Sequence, residues 1–270
     1  MPKQTIIPLQ KRTIIKRFVK PFIALLLVTV GLHFAMAANN WRPLAPGIDY
    51  NDLVTTHFTP WSHIHTFRIN LQENTLSLTT AKETHQNFAK AEDYAQFSHA
   101  FIAINGGFFD KNYRPLGLRI RNHQQLSPLK LISWWGIFYT KAGHAYLSNA
   151  KRFKQSELID FAIQSGPRLL INGRIPSLRK GLAERSALGI TQDGQVILLV
   201  TEHAAMSTTH LAHLMKAPPL NCINALNLDG GSSSQLYAKI NSFRLNVHGF
   251  SNVSDGITVH PRQMNAGILN

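Results

Sequence analysis

The chain has 270 residues, 44% of them hydrophobic and 16% charged, and 28 Lys and Arg against 14 Asp and Glu give a formal net charge of +14. That composition excludes a disordered or fibrous chain and leaves ample length for a buried core. The single cysteine, Cys222, excludes an intramolecular disulfide and a thiolate metal site.

The first 37 residues stand apart. Lys3, Lys11, Arg12, Lys16, Arg17 and Lys20 form a basic leader without an acidic residue, followed by an apolar run from Phe22 to Val30 and the small-x-small triplet Ala35-Met36-Ala37. This is the pattern of an export signal, and the apolar stretch is short for a spanning helix, which needs about 20 residues. An uncleaved N-terminal anchor is the alternative. A periplasmic or secreted location is expected, with the membrane met only through this leader. The remainder stays basic, but no Lys/Arg cluster is interleaved with aromatics, so no nucleic-acid partner is expected. A basic surface suits anionic envelope polymers or a phosphate-bearing substrate, and equally suits solubility.

Residues 38–59 read as a polar lead-in segment, and 60–270 as one domain without an internal linker. Ile64 to Leu71 and Thr75 to Thr80 alternate and flank Gln72-Glu73-Asn74, which predicts a hairpin. Asn87 to Phe97 carries a helical apolar face, with Thr84 as a cap. Ala100 to Ile104 is an apolar strand stopping at Asn105-Gly106-Gly107. Leu116 to Arg121 alternates, with Arg119 and Arg121 on the polar side. Ile137 to Tyr139 and Ala145 to Leu147 predict a hairpin across Lys141-Ala142-Gly143, and Ser156 to Phe161 a short helix. Asn172-Gly173 and Asp193-Gly194 are hairpin turns. Ser207 caps a helix through Leu211 and Met215 that Pro218-Pro219 ends. Ile223 to Leu228 is a buried strand stopping at Asp229-Gly230-Gly231-Ser232, and Ile257 to Val259 and Met264 to Leu269 are closing strands. Many hairpins with a few helices predict an α+β fold of largely antiparallel twisted sheets in a single domain.

Two apolar strands, each ending in a carboxylate or amide before a double glycine, predict a two-walled site with bare backbone at its edge. Phe108 and Phe109 are candidates to line it. Neither corner is a phosphate loop or a dinucleotide fingerprint. No G-x-S-x-G elbow accompanies Ser165 or Ser232 to Ser234, which argues against a serine hydrolase. His63-x-His65 and His210-x-x-His213 would each put two rings on one side, but nearby acidic partners are not evident, and they read as ordinary surface or half-buried histidines. A divalent cation held by Asp229 and main-chain oxygens stays open, and no metal ligands are assigned.

Asn105-Gly106-Gly107-Phe108-Phe109, Gln164-Ser165-Gly166-Pro167, Arg185-Ser186-Ala187-Leu188-Gly189 and Asn227-Leu228-Asp229-Gly230-Gly231-Ser232-Ser233 occur in the order seen in the phosphodiester glycosidases, and the chain resembles that family over roughly residues 60 to 270. There are two departures. The family often has Gly-Gly-Gly-Ser where this chain has Gly230-Gly231-Ser232-Ser233, and its closing Pro-x-x-x-Asn is here Pro261 to Asn265. The resemblance implies an exported hydrolase cleaving a sugar-1-phosphodiester in an envelope or extracellular glycan or a lipid-linked sugar. The rival expectation is a non-catalytic glycan-binding or envelope-assembly protein.

Cleaving a sugar–phosphate bond requires stabilising an oxocarbenium-like sugar, usually between two carboxyl groups. Asp229 is the first choice as nucleophile or base, with Asp110 and Glu202 as candidate second carboxyls. Arg185 is the preferred phosphate clamp, because guanidinium pairs bidentately with phosphate, and Arg168 is a second. Asn105 is a candidate partner for a sugar hydroxyl or a carboxylate. Gly106, Gly107, Gly230 and Gly231 are expected to bring backbone to the substrate, and Ser232 to bind phosphate through its hydroxyl and amide.

Overall fold

Three antiparallel sheets meet around one apolar core. The computed structural model describes residues 41–53 and 59–263; the leader, and the strand expected over Met264 to Leu269, lie outside them. The first sheet has seven strands in the order β1 (Arg42–Ala45), β2 (Ile48–Asp52), β3 (His63–Ile69), β13 (Val196–Glu202), β12 (Ser186–Thr191), β14 (Cys222–Asn227) and β11 (Arg168–Leu170). The second runs β7 (Gln124–Ser127), β6 (Arg119–Arg121), β10 (Phe161–Ser165), β8 (Gly136–Lys141) and β9 (His144–Ser148). The third runs β16 (Phe243–Val247), β15 (Leu236–Ile240), β5 (Ile102–Asn105), β17 (Asp255–Pro261) and β4 (Asn74–Thr80).

Alternate residues of all three sheets point into the shared core. Phe67, Leu198 and Val200 come from the first sheet, Phe138, Phe161 and Ile163 from the second, and Leu78, Ile102, Ile104 and Ile257 from the third. Two helices cover outer faces. α1 (Ala91–Ser98) buries Ala91, Tyr94 and Ala95 on the third sheet. α2 (Thr208–Lys216) buries Leu211, Ala212 and Met215 on the first. The antiparallel expectation holds, but these two short helices are the only α-helices among the described residues, so the fold is richer in strand than an α+β reading implies.

Several local expectations are confirmed. The Ala142-Gly143 and Asp193-Gly194 turns join paired strands. The Ser207 hydroxyl accepts from the His210 amide at 3.1 Å as the cap of α2. Others are corrected. The segment read as a lead-in contains β1 and β2, which pair with each other and extend the first sheet through β3. β3 and β4 are not a hairpin: they lie in different sheets, because both apolar faces bury across the core instead of pairing edge to edge. Thr84 does not cap α1. Its hydroxyl donates to the Ala81 carbonyl, while the Ala91 amide is held by Gln235 Oε1 at 2.8 Å. Ser156 to Asp160 turns without forming a helix and delivers the chain to β10.

Candidate active site

The ends of strands from all three sheets converge. β5 ends at Asn105, β14 runs out at Asn227 two residues before Asp229, and β10 ends at Ser165, while β12, β17, β6 and β11 begin at Ser186, Asp255, Arg119 and Arg168. Asn105 ties this junction together. Its Nδ2 donates to the Asp229 carbonyl at 2.8 Å and the Gly106 carbonyl at 3.2 Å, and its Oδ1 accepts from the Ser186 hydroxyl at 2.6 Å and the Gln235 amide at 3.2 Å. With both protons and both lone pairs used, Asn105 is a fully buried strut and has no bond left for a sugar hydroxyl. Asn227 works similarly toward the second sheet, donating to the Gly166 carbonyl at 3.0 Å.

The double glycines have distinct reasons. A Cβ on Gly106 would lie 1.6 Å from Asp255 Oδ1, and one on Gly107 would lie 2.9 Å from Arg119 Nη2. The first corner therefore lets a buried ion pair approach the main chain. In the second corner Gly231 needs a left-handed φ of +65°, which glycine adopts freely. Ser232 follows it inside a short 3-10 turn, Gly231–Ser233, with no positive φ, which explains how serine replaces the family's third glycine.

Asp229 sits at this second corner, partly accessible at the mouth of the junction. Burial pushes its carboxyl above the usual carboxylate range, against hydrogen bonds from the Ser233 side chain and the Gly230 amide at 3.0 Å. The neighbouring Asp255 charge adds to the rise and Arg119 opposes it. The second carboxyl near Asp229 is thus Asp255. It is fully buried, with Oδ2 bound by Arg119 Nε at 3.1 Å and by the Ser254 hydroxyl at 3.1 Å. Arg119 also donates to the carbonyls of Gln164 at 3.0 Å and Phe108 at 3.3 Å, so one guanidinium joins the second and third sheets.

The other expected carboxyls lie elsewhere. Asp110 is turned to its own loop, accepting from the Asn112 and Arg114 amides and from the Arg114 side chain at 2.8 Å. Glu202 pairs with His65 Nε2 at 3.2 Å. The His63-x-His65 rings do share a side, stacked 5.2 Å apart, and acidic partners are present after all: Asp52 bonds His63 Nδ1 at 2.6 Å. Tyr50 OH bonds the other nitrogen of His65 at 2.7 Å. Among the described residues no group of three or more His, Cys, Asp or Glu is arranged to hold a metal ion.

Arg185 lies beside the second corner, with Nη1 3.7 Å from where a Gly230 Cβ would be. It makes no salt bridge to Asp229 or Glu202. Nε donates to the Met206 carbonyl at 2.9 Å and Nη2 to the Gly181 carbonyl at 2.7 Å, which leaves Nη1 toward the corner. Arg168 reaches over Gly136 and has no ion-pair partner among the described residues. Ser232 is exposed, and its carbonyl accepts from the Ser251 amide at 2.8 Å.

Sequence reasoning missed Arg119, Asp255 and Ser186. The alternation of Leu116 to Arg121 gave Arg119 its correct side, but that side faces the junction and not water. Asp255-Gly256 ahead of an apolar strand was the available signal for the buried acid.

A partly accessible carboxyl with a raised proton affinity, set between glycine corners where sheets meet, is the candidate reactive group of this junction. The phosphodiester glycosidase family model matches residues 98–265. The chain belongs to that family. It is 37% identical over 150 residues to the uncharacterized protein YigE of Escherichia coli K12, covering 51% of this chain and 58% of that relative, so it spans less than two thirds of that protein's length. In fold it is similar to the catalytic domain of zebrafish N-acetylglucosamine-1-phosphodiester alpha-N-acetylglucosaminidase, auto-inhibited by its pro-peptide, with TM-score 0.60 and 18% identity over 83% of this chain and 87% of that one. A hypothetical protein from Synechocystis is similar at TM-score 0.59 and 17% identity, over 83% of this chain and 64% of that one.

Proposed function

We propose that this chain is an exported hydrolase that cleaves the bond between a sugar's anomeric carbon and phosphate in a sugar-1-phosphodiester of an envelope or extracellular glycan or a lipid-linked sugar. The observation that carries the reading is Asp229: the carboxyl that reaches the mouth of the three-sheet junction, with its proton affinity raised by burial. Family membership supports the reaction class, and the basic, then apolar, leader of residues 1–37 supports export.

Asp229 acts as nucleophile or base toward the anomeric centre. A phosphate monoester is a fair leaving group, so this reaction needs less acid assistance than ordinary glycoside cleavage, where two carboxyls flank the bond. That matches an arrangement in which the second acid, Asp255, is buried and positions Gly106 and Arg119 without touching substrate. Gly230 and Gly231 bring backbone to the sugar, and Arg185 Nη1 supplies positive charge at the corner.

The test is release of free sugar from N-acetylglucosamine-1-phosphodiester and related models by the purified protein, with Asp229→Asn alongside. Release by the wild type and loss in the variant is the expected result. Equal release by both removes Asp229 from the chemistry, and no release across several sugars overturns the enzyme reading.

A further inference from the structure

The most exposed large apolar side chains of the fold are gathered at one end. Among the described residues Phe250 is 86% exposed, Leu131 82%, Leu182 77% and Trp61 65%, and no other large hydrophobic residue is as open. Strand register puts each of them on a loop at the edge where the three sheets converge. β3 begins at His63, opposed to Glu202 at the end of β13, so Trp61 lies just outside that edge of the first sheet. β8 begins at Gly136, opposed to Ser165 at the end of β10, and the loop 128–135 with Leu131 leads into it. β16 ends at Val247, opposed to Leu236 at the start of β15, and Phe250 follows it. Leu182 precedes β12, whose first residue, Ser186, bonds Asn105.

Contacts tie the same loops to the glycine corners. The Ser232 carbonyl accepts from the Ser251 amide at 2.8 Å and would lie 3.0 Å from a Gly249 Cβ, so Phe250 stands on a turn held against the second corner. The Gly181 carbonyl, beside Leu182, accepts from Arg185 Nη2 at 2.7 Å, and the Glu184 carbonyl accepts from the Gly231 amide at 2.8 Å. Trp61 joins them through the Ser62 hydroxyl, which donates to the His203 carbonyl, and the His203 amide, which donates to Glu184 Oε1 at 3.1 Å. On the other side a Gly166 Cβ would lie 3.2 Å from Trp134 Cε3, and the Gly166 carbonyl is bonded by Asn227, two residues before Asp229.

The apolar tips are set among cations. Lys130 adjoins Leu131, Arg179 and Lys180 come just before Leu182, and all three cations are exposed. The one acid in segments 59–62, 128–135, 175–185 and 248–252 is Glu184, whose carboxylate is turned to the His203 amide. Hydrophobic residues scattered singly over a surface need no explanation, but four around one candidate acid do. A protein partner disfavours lysine at its contacts. Trp, Phe and Leu tips interleaved with Lys and Arg instead match the headgroup boundary of a bilayer, where apolar tips enter and basic groups meet anionic phosphates.

We propose that this end of the molecule seats on an anionic membrane surface, and that the substrate is a lipid-linked sugar phosphate presented there. The seating stands on the loops alone, whereas the choice of substrate rests on the glycosidase reading above. Seated in this way, the junction with Asp229 opens at headgroup depth, and Trp61, Leu131, Leu182 and Phe250 meet the lipid.

The test places an environment-sensitive fluorophore on the full chain at Leu182→Cys, at Phe250→Cys and, for comparison, at Gln192→Cys in the exposed turn at the far end of β12. Cys222 is buried and does not compete for the label. With vesicles of phosphatidylglycerol and phosphatidylethanolamine, emission from the first two should rise and shift to the blue, and the third should not change. Every version carries residues 1–37, and tethering through them alone leaves all three labels in water. No change at Leu182→Cys and Phe250→Cys, or the same change at all three sites, overturns the seating. Arg179→Gln combined with Lys180→Gln should weaken the vesicle signal about tenfold, and an unchanged titration overturns the anionic part of the surface. In turnover, Leu182→Ser combined with Phe250→Ser should lower kcat/KM about tenfold on an N-acetylglucosamine-1-phosphodiester of diacylglycerol in vesicles. The water-soluble methyl phosphodiester should stay within about twofold, since both substitutions are on the surface. Equal loss on both substrates, or cleavage of the methyl compound alone, overturns the lipid-linked substrate. Cleavage of neither, with the labels responding, sinks the glycosidase reading and leaves the seating supported.

Discussion

Asn105 Nδ2 donates to the main-chain carbonyl of Asp229 at 2.8 Å, across 124 residues of sequence. The bond joins the end of a strand in the third sheet to the corner after a strand in the first. The reverse link, from the Asp229 amide to the Gly106 carbonyl at 3.2 Å, closes the same junction. The candidate catalytic carboxyl is therefore held by backbone on both sides, and its position follows from how the sheets meet.

Asn105→Asp should lose the two donors while burying a new acid near Asp229. The expected cost is about 1–3 kcal/mol per unsatisfied group, read as a lower urea midpoint with little change in the slope. A midpoint equal to wild type would remove the strut role.

Asp229→Asn should lower turnover by about 10³-fold. It should also change stability with a definite sign. A carboxyl whose folded proton affinity is raised stabilises the fold below its unfolded pKa and loses that contribution as pH rises through the folded value. The variant should therefore melt higher than wild type at neutral pH, with the gap closing toward pH 4. Parallel melting curves across that range would contradict the burial argument.

Arg119 and Asp255 should be strongly coupled. Removing one partner of a buried ion pair costs about 3–5 kcal/mol, because the other charge is left uncompensated. Asp255→Ala should show such a loss, and a double-mutant cycle with Arg119→Met should give a double variant less destabilised than the sum of the singles. Additivity would mean that the carbonyls around Arg119 hold it without Asp255.

His65 should give the protein an acid limb. Burial holds its imidazole neutral, with its proton affinity lowered, between Tyr50 and Glu202. A depressed histidine contributes stability above its unfolded pKa and loses it as pH falls through the folded value. The melting temperature should decline below about pH 6.5, and His65→Gln should flatten that decline.

Glu202→Gln and Asp110→Asn should retain sugar release within about threefold of wild type, since the first carboxyl serves His65 and the second its own loop. A hundredfold loss in either would return it to the catalytic set.

Local patterns were legible wherever a short stretch decides its own geometry. Asp193-Gly194 made a hairpin, Ser207 capped a helix, and two apolar runs stopping at glycine corners marked the junction at which Asp229 lies. What the chain could not reveal was which strands face one another. β3 and β4 looked like a hairpin because alternation records only that one side is buried, and it is silent on whether the neighbour is an edge or an opposing sheet. The same gap hid Arg119 and Asp255: a polar residue alternating with apolar ones looks solvent-facing until a third sheet closes over it. It also misplaced the partners of Asn105 and Glu202, whose hydrogen bonds reach residues more than 120 positions away. By itself the sequence determined strands, turns, the glycine corners and the acid between them. Only the packing of three sheets decided which acid is the neighbour of Asp229 and which arginine holds that acid, because those contacts join chain segments with no local pattern in common.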